Sequence, residues 1–374
     1  MFHTILTLTY LIPNIYVYFR IRSLFIGKNH RLAYTLIFIV LASIYPLSNI
    51  LSEDAAGILS SVVSTVAGYL LPFYLYLFLL LLLLDIFLLF NAVFKIVRKD
   101  RLKSVKFRTS GIVSIILIST LIVVAGVINF RTIRVTGYNI TVPGRSSDLK
   151  NLKIAFVSDF HLQGKTDTDF VRKFAGKIAE INPDIMLFGG DIVEGDRDDD
   201  GNMETHAKII SGIRTRYGSF TVPGNHEHYG GQVNGDFFGK AGIRVLIDTL
   251  IVINRSFILG GRNDAHSRTR ISVAELMKNA GDSLPVILID HRPTELDQVS
   301  KTSVDVQLSG HTHHGQLIPI NLITEREYEL SYGHMKKRNT HFLVSSGIRL
   351  WGPPVRTIGK SEIMVINIAF DYNK

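Results

Sequence analysis

The apolar residues of this chain are crowded into its first 130 positions, and that segregation limits the fold more than any single motif does. Four runs, at about 2–19, 32–51, 68–93 and 112–130, reach the roughly 20 residues that a bilayer-crossing helix needs. Stretches such as 79–84, an unbroken run of leucine, have no polar face to turn to water. A bundle of four membrane-spanning helices is therefore expected rather than a buried soluble one. The first run contains Pro13, and its charges follow it rather than precede it, which is the wrong order for a cleaved secretory leader.

The basic balance divides in the same way. Residues 1–130 carry 11 Lys+Arg against 4 Asp+Glu, whereas the remainder carries 30 against 28. The positive excess belongs to loops between apolar runs, and the second half has no basic stripe, so nucleic acid is not an expected partner. Arg20, Arg22, Lys28 and Arg31 fill the first connection and Lys95, Arg98, Lys99, Arg101, Lys103, Lys106 and Arg108 the third; the second holds Glu53 and Asp54. The positive-inside rule puts the first and third loops in the cytoplasm. The expected location is thus a multi-pass protein of the cell membrane with its second half extracytoplasmic. Asp85, inside the third run, is expected to pair with a basic residue near the cytoplasmic side. Residues 55–67, rich in small side chains, fit either an extension of the third helix or an interfacial helix. There is no cysteine, so disulfides and thiolate metal sites are excluded.

From Ile133 the pattern becomes one of short apolar runs ended by Gly, Pro, Asn and Asp. Strands are expected at 133–142, 152–157, 185–188, 219–222, 244–247, 250–254, 257–260, 286–289, 304–308, 340–344 and 362–368. Helical spacing is found at 170–181, 205–214 and 273–279. Strand–helix units followed by a strand-rich half predict a two-sheet α/β sandwich, and roughly 240 residues suit one domain. The expected organisation is a transmembrane anchor over 1–130 and a second domain over 131–374.

Five of these strands run directly into chemistry-bearing loops: Asp159-Phe160-His161, Gly189-Gly190-Asp191, Gly224-Asn225-His226-Glu227, Asp290-His291-Arg292-Pro293 and Gly310-His311-Thr312-His313. Loops beyond the carboxyl ends of strands converge on one crevice in layered α/β folds. Asp-x-His can turn two side chains toward one point, and carboxylate with imidazole suits Mn, Fe or Zn. The glycines before Asp191 permit close backbone approach, so that one carboxylate can bridge two ions. Asn225 adds a neutral oxygen and leaves His226 for acid–base work, while His311 and His313 can serve one ion each.

The order DFH, GGD, GNHE, DHRP, GHTH resembles the calcineurin-like metallophosphoesterase family over about 152–368, in particular its membrane-anchored bacterial branch, which the tail Gly347-Ile348-Arg349-Leu350-Trp351-Gly352-Pro353-Pro354-Val355-Arg356 also resembles. The resemblance implies a four-layer α/β/β/α sandwich and two divalent metal ions. It implies Asp159, His161 and His313 on the first ion, Asn225, His291 and His311 on the second, and Asp191 as the bridge. It gives His226 the task of contacting the phosphate and protonating the leaving group, after in-line attack by an activated water. Glu227 stands where the family often has Asp, Glu194 follows the bridging residue where some members have Asp, and carboxylates such as Glu227 are expected to orient imidazoles.

The expected activity is a metal-dependent hydrolysis of phosphodiester or pyrophosphate bonds, with an envelope or lipid-linked phosphate ester as substrate. A broad phosphomonoesterase or nucleotidase, and a sensor or transporter with a non-catalytic metal domain, are the competing functions. No protein partner can be inferred. His228, His314, Tyr229, Arg292 and Arg356 are candidates to line the phosphate pocket, and the loop 262–270 to select substrate. His206, His266, His334 and His341 are expected on the surface or in packing. Asp196 to Asn202 imitates the start of a Ca²⁺ loop, but position twelve is Ala207 where a bidentate Glu is needed, so a solvated loop is expected.

Overall fold

A computed structural model of the chain describes residues 2–51, 58–194, 202–229 and 236–372. Residue contacts divide it into two units: Met1–Ile128 with Gly352–Thr357, and Asn129–Trp351 with Ile358–Lys374. Glu53 and Asp54 and the Asp196–Gly201 part of the calcium-like loop lie outside the described residues.

The first unit is helical: α1 (Phe2–Leu24), α2 (Arg31–Leu51), α3 (Ile58–Phe94), the short α4 (Lys99–Lys103) and α5 (Val105–Arg131). Three segments among the described residues, Lys28–Ser48, Leu59–Phe94 and Val105–Arg131, are long and apolar enough to cross a membrane. The remaining run expected to span forms α1, which is not among those three and carries Arg20 and Arg22 in its last turns. The stretch from Ile58 to Ala67 belongs to α3, which settles the choice between an extension and a separate helix. Asp85 has the expected basic partner: Arg20 Nε donates to its Oδ1 at 2.6 Å and Tyr16 to its Oδ2 at 2.6 Å. Val17, Ile21, Tyr74, Leu77, Leu81 and Ile115 form the core of the unit. The segment Gly352–Thr357 packs within it. The Arg356 N–H donates to Gly126 O at 3.0 Å, a Cβ on Gly126 would collide with Val355, and Thr357 bonds Tyr76.

The second unit is built on two six-stranded sheets. The first has the order β1 (Ile133–Pro143), β12 (Ser361–Asp371), β2 (Asn151–Val157), β3 (Ile185–Phe188), β4 (Ser219–Thr221), β5 (Ile243–Val245). The second runs β10 (Gly333–Lys337), β11 (Thr340–Val344), β9 (Val306–Ser309), β8 (Val286–Ile289), β7 (Phe257–Gly261), β6 (Thr249–Ile253). β2, β3, β4 and β5 pair in parallel, as do β7, β8, β9 and β11, so their carboxyl ends share one edge within each sheet. These strands are continuous apolar runs because both faces are covered. One apolar cluster joins Ile154, Phe156, Leu187 and Phe220 of the first sheet to Phe257, Leu259, Ile287 and Leu308 of the second. A further cluster covers the first sheet with α6 (Thr168–Ile181), α7 (Asn202–Ser211) and α9 (Asp236–Lys240), and includes Phe174, Ile178, Ile210 and Phe238. Another covers the second sheet with α10 (Val273–Met277) and α11 (Leu296–Val299). Phe156 is fully buried, so truncating it to Ala removes packing worth about 3–5 kcal/mol. Two more short helices, α8 (Asn225–Tyr229) and α12 (Asn321–Glu327), belong to the loops at the strand ends.

Candidate metal centre

The five chemistry-bearing loops leave β2, β3, β4, β8 and β9 at their carboxyl ends, and backbone bonds tie them together. Asp159 N–H donates to Gly190 O at 3.0 Å and His161 N–H to Asp191 O at 3.0 Å, joining the exits of β2 and β3. Gly310 N–H donates to His291 O at 2.9 Å, joining β8 to β9, and His311 N–H reaches both Asp159 carboxylate oxygens at 3.1 Å. Asp159, His161, Asp191, His311 and His313 all have positive φ, between 47° and 72°. Left-handed backbone at non-glycine residues costs about 1–3 kcal/mol each and is retained where the aim of a side chain matters. Gly190, at φ 84°, has no room for a Cβ against the His291 ring.

Three ligand groups result, each with its ligand atoms within 4.8 Å of one another: Asp159–His161–His313, His161–Asp191–His226 and Asp191–His291–His311. Asp191 and His161 are each shared between two groups. Asn225, at the start of α8, is buried, and its Oδ1 has no hydrogen-bond partner. All seven predicted ligands, with His226, thus come from loops at one edge of the unit.

The donor set fits divalent cations on grounds of its own chemistry. His291 gives Nδ1 to Gly189 O at 2.7 Å, which leaves Nε2 facing Asp191 Oδ2 at 3.1 Å. His161 Nε2 and His313 Nε2 face each other at 3.3 Å, a contact of two lone pairs unless a cation or a proton lies between them. Burial pushes the Asp159 carboxyl up, against the His291 charge and with the Asp191 charge. Burial lowers His291, but Asp191 and then Asp159 overcome it and bring the imidazole to about 10, so the carboxylates draw positive charge to this point. His311 is driven down to about 3, by burial and then by His291, which keeps it neutral as a ligand must be.

Glu194 was not foreseen as part of the site. Its Oε1 lies 2.6 Å from His161 Nδ1 and its Oε2 2.7 Å from His226 Nδ1, which directs both Nε2 atoms away from it. Burial raises this carboxyl, yet the two imidazole hydrogen bonds outweigh it and bring it to about 2. Its position three residues after Asp191 was the only signal. Glu227, expected to orient an imidazole, does something else: it accepts backbone N–H bonds from Asp191, Ile192, Val193 and Gly224 at 2.6–3.0 Å and so clamps the two loops. Behind His291, Asp290 is buried between Arg262 and Arg270, at 3.0 and 2.8 Å, an ion network that pins the loop 262–270.

The neighbours separate. Tyr229, His266, Asp264 and Arg292 form one chain of contacts: Tyr229 OH lies 2.9 Å from His266 Nε2, and Arg292 Nε donates to buried Asp264 at 3.1 Å. His266 is on the surface, as expected, and is a member of this chain. Trp351 and Tyr229 flank the His226 ring at 6.1 and 5.9 Å. His228 bonds Asn263 at 2.9 Å, and His314 packs on Tyr332. Arg356 belongs to the helical unit, where its N–H donates to Gly126 O at 3.0 Å. His206 is buried against Thr168, and His334 stacks on His341.

The residues that form this cluster fall within a stretch that resembles known proteins. Residues 152–315 match the family model of the calcineurin-like phosphoesterases. A metallophosphoesterase of Helicobacter pylori is 31% identical over 233 residues, covering 59% of this chain and 60% of the relative. One of Aquifex aeolicus is 31% identical over 225 residues, covering 58% of this chain and 85% of the relative. A transmembrane protein with metallophosphoesterase domain from Danio rerio is 25% identical over 266 residues, covering 66% of this chain and 60% of the relative. The match thus spans about 60% of the length of the Helicobacter relative.

Proposed function

Because this chain belongs to the calcineurin-like metallophosphoesterases and is a metal-dependent phosphoester hydrolase, we propose that it is a membrane-anchored enzyme with a dinuclear centre, acting outside the cytoplasm on phosphodiester or pyrophosphate bonds of an envelope or lipid-linked compound. In this reading residues 1–130 are the anchor, with α1 as a fourth span, and 131–374 are the catalytic domain in four layers, α/β/β/α. The observation that supports the dinuclear part is that the Asp191 carboxylate lies within 4.8 Å of a ring nitrogen of His161, in the first set, and of His291 and His311, in the second.

Asp159, His161 and His313 would hold one ion, Asn225, His291 and His311 the other, and Asp191 both. When bound, two divalent ions lower the pKa of the attacking water and offset charge on the phosphoryl oxygens. The chain's own residues supply the rest. Glu194 fixes the His226 ring through Nδ1, so that Nε2 faces the site, and holds its proton: burial lowers the His226 pKa, but Glu194 and Asp191 raise it overall. A protonated His226 can then donate to the departing oxygen, a step worth typically about 10²–10⁴-fold. Glu227 keeps the Asp191 loop rigid, and the buried Asp290 network does the same behind His291.

The basic loops around Lys28–His30 and Lys99–Lys103 support the outward orientation, since both flank membrane-length helices. The test is a paired assay of the full chain, loaded with manganese, on a chromogenic phosphodiester and the matching monoester. Faster turnover of the diester supports the reading. Preference for the monoester replaces it with a phosphomonoesterase or nucleotidase, and a metal-loaded protein inert on both points to a sensor or transporter.

A further inference from the structure

The turn that carries His311 and His313 continues into a segment of unusual composition. From Gln316 to Thr324 no residue is ionisable, and the sequence there is Gln-Leu-Ile-Pro-Ile-Asn-Leu-Ile-Thr. Large side chains of this kind are expected in a core. Here Ile318 is 47% exposed, Ile320 38%, Leu322 61% and Ile323 63%. They form the densest run of exposed aliphatic residues among the described residues of the second unit, and exposed apolar patches mark interaction sites.

The segment is not a loose tail. Leu317 beneath it is buried, Ile320 N–H donates to Leu317 O at 2.7 Å, and α12 begins at Asn321. Gly315, at φ 71°, lies so close to the Asn321 backbone that a Cβ could not fit between them. The apolar ridge is thereby backed directly by the metal-ligand turn. On its other side, Ile358 N–H donates to Gln316 O at 3.3 Å. Ile358 is the residue that follows Gly352–Thr357, the segment packed among the apolar helices of the first unit. The ridge is therefore held on one side by the turn of a candidate metal ligand and on the other by Ile358, both within the second unit.

We propose that Ile318, Ile320, Leu322 and Ile323 form a lip that inserts into the lipid surface, holding the metal-ligand turn at the membrane. Its partner is the bilayer rather than a second protein, because Gln316 to Thr324 carries no ionisable side chain and belongs to a chain that has its own membrane-length helices. Glu325, Arg326 and Glu327 follow one helical turn on from Leu322 and Ile323, where they can stay at the headgroup level. This inference rests on the membrane anchorage and is independent of which phosphate ester is cleaved.

The chain holds a single tryptophan, Trp351, so fluorescence tests the idea directly. In full-length protein carrying Trp351→Phe, one tryptophan is placed at a time: Leu322→Trp on the ridge, Leu117→Trp on the exposed face of α5, and Val252→Trp on exposed β6. Each is reconstituted in phosphatidylcholine vesicles with and without bromine near the headgroup end of the acyl chains. An interfacial segment lies roughly 5–10 Å into the headgroup–acyl boundary, so bromine should quench Leu322→Trp about twofold and leave Val252→Trp unchanged. Leu117→Trp reports the anchorage itself. Quenching at Leu117 without quenching at Leu322 overturns the lip while keeping the anchor; no quenching at either overturns both. A blue-shifted Leu322→Trp emission that bromine does not quench also overturns it, showing a second copy or another protein on the ridge.

Discussion

Glu194 holds His226 by its Nδ1 at 2.7 Å, and the opposite oxygen of the same carboxylate holds the candidate ligand His161 at 2.6 Å. One side chain therefore sets the tautomer of both a candidate metal ligand and a candidate proton donor. Glu194→Gln keeps the size but can hold at most one of the two rings through its carbonyl oxygen. It should lower kcat about 10–100-fold, the usual loss when an outer carboxylate is removed, and lower metal affinity as well. Kinetics combined with metal titration check this. Unchanged values for both would mean that Glu194 only packs.

His226→Ala is expected to act differently. The metal content should stay at the wild-type level, since the seven remaining donors are untouched. Turnover should fall about 10²–10⁴-fold for an alkyl leaving group that needs a proton. With a nitrophenolate leaving group the loss should be much smaller. An equal loss for both kinds of substrate would show that His226 positions the phosphate and donates nothing.

Asp191→Asn removes the one carboxylate that belongs to two ligand groups. The neutral amide no longer offsets two cations, so bound metal, measured by elemental analysis of the purified protein, should fall by at least one equivalent and activity should be lost. Full metal content with normal turnover would place the bridge elsewhere.

How much of this was legible in the sequence follows from how local each determinant is. Strand–loop exits write themselves into sequence as an apolar run followed by Asp, His or Asn, which is why Asp159, Asp191, Asn225, His291 and His311 can be placed at strand ends from the sequence. β8 was found at its observed bounds for the same reason. β10 was missed: Gly333-His334-Met335-Lys336-Lys337 is half-exposed and pairs only with β11, so it lacks an apolar run. Glu194 and Glu227 were legible as carboxylates but not as partners. Which imidazole or backbone amide each one meets depends on how the exits of β2, β3 and β4 are brought together, and no spacing along the chain encodes that. The seat of Gly352–Thr357 among helices more than 200 residues earlier was invisible for the same reason.

The β10–β11 hairpin should lose stability in acid. Burial drives His341 down to about 4, with Lys336 and His334 adding to it, and burial lowers His334 too. The unfolded imidazole titrates near about 6.5, so the open hairpin binds more protons than the closed one between that pH and about 4. The contribution is therefore complete above the unfolded value and is lost as pH falls toward the folded one. Across that window the opening equilibrium of the β11 amides, from hydrogen exchange corrected for intrinsic rate, should rise by up to about tenfold per pH unit for each proton taken up. His341→Gln should flatten the dependence. A flat profile in the wild type would mean that the pair is already protonated or solvated.

Topology decides which substrates the enzyme can meet, and the outcome turns on α1. If α1 spans together with α2, α3 and α5, the basic connections remain in the cytoplasm and the catalytic unit emerges outside. The chain has no cysteine, so single cysteines can be introduced without background. Arg268→Cys, on the exposed loop of the second unit, and Ser104→Cys, between α4 and α5, are probed separately in intact cells with an impermeant maleimide. Position 268 should label at once, whereas position 104 should label only after the membrane is broken. The opposite pattern would put the metal centre in the cytoplasm and exclude envelope substrates. It would also identify α1 as a helix that does not cross, because its apolar run, at about 2–19, is the shortest of the four, and losing one span reverses the side of everything after it.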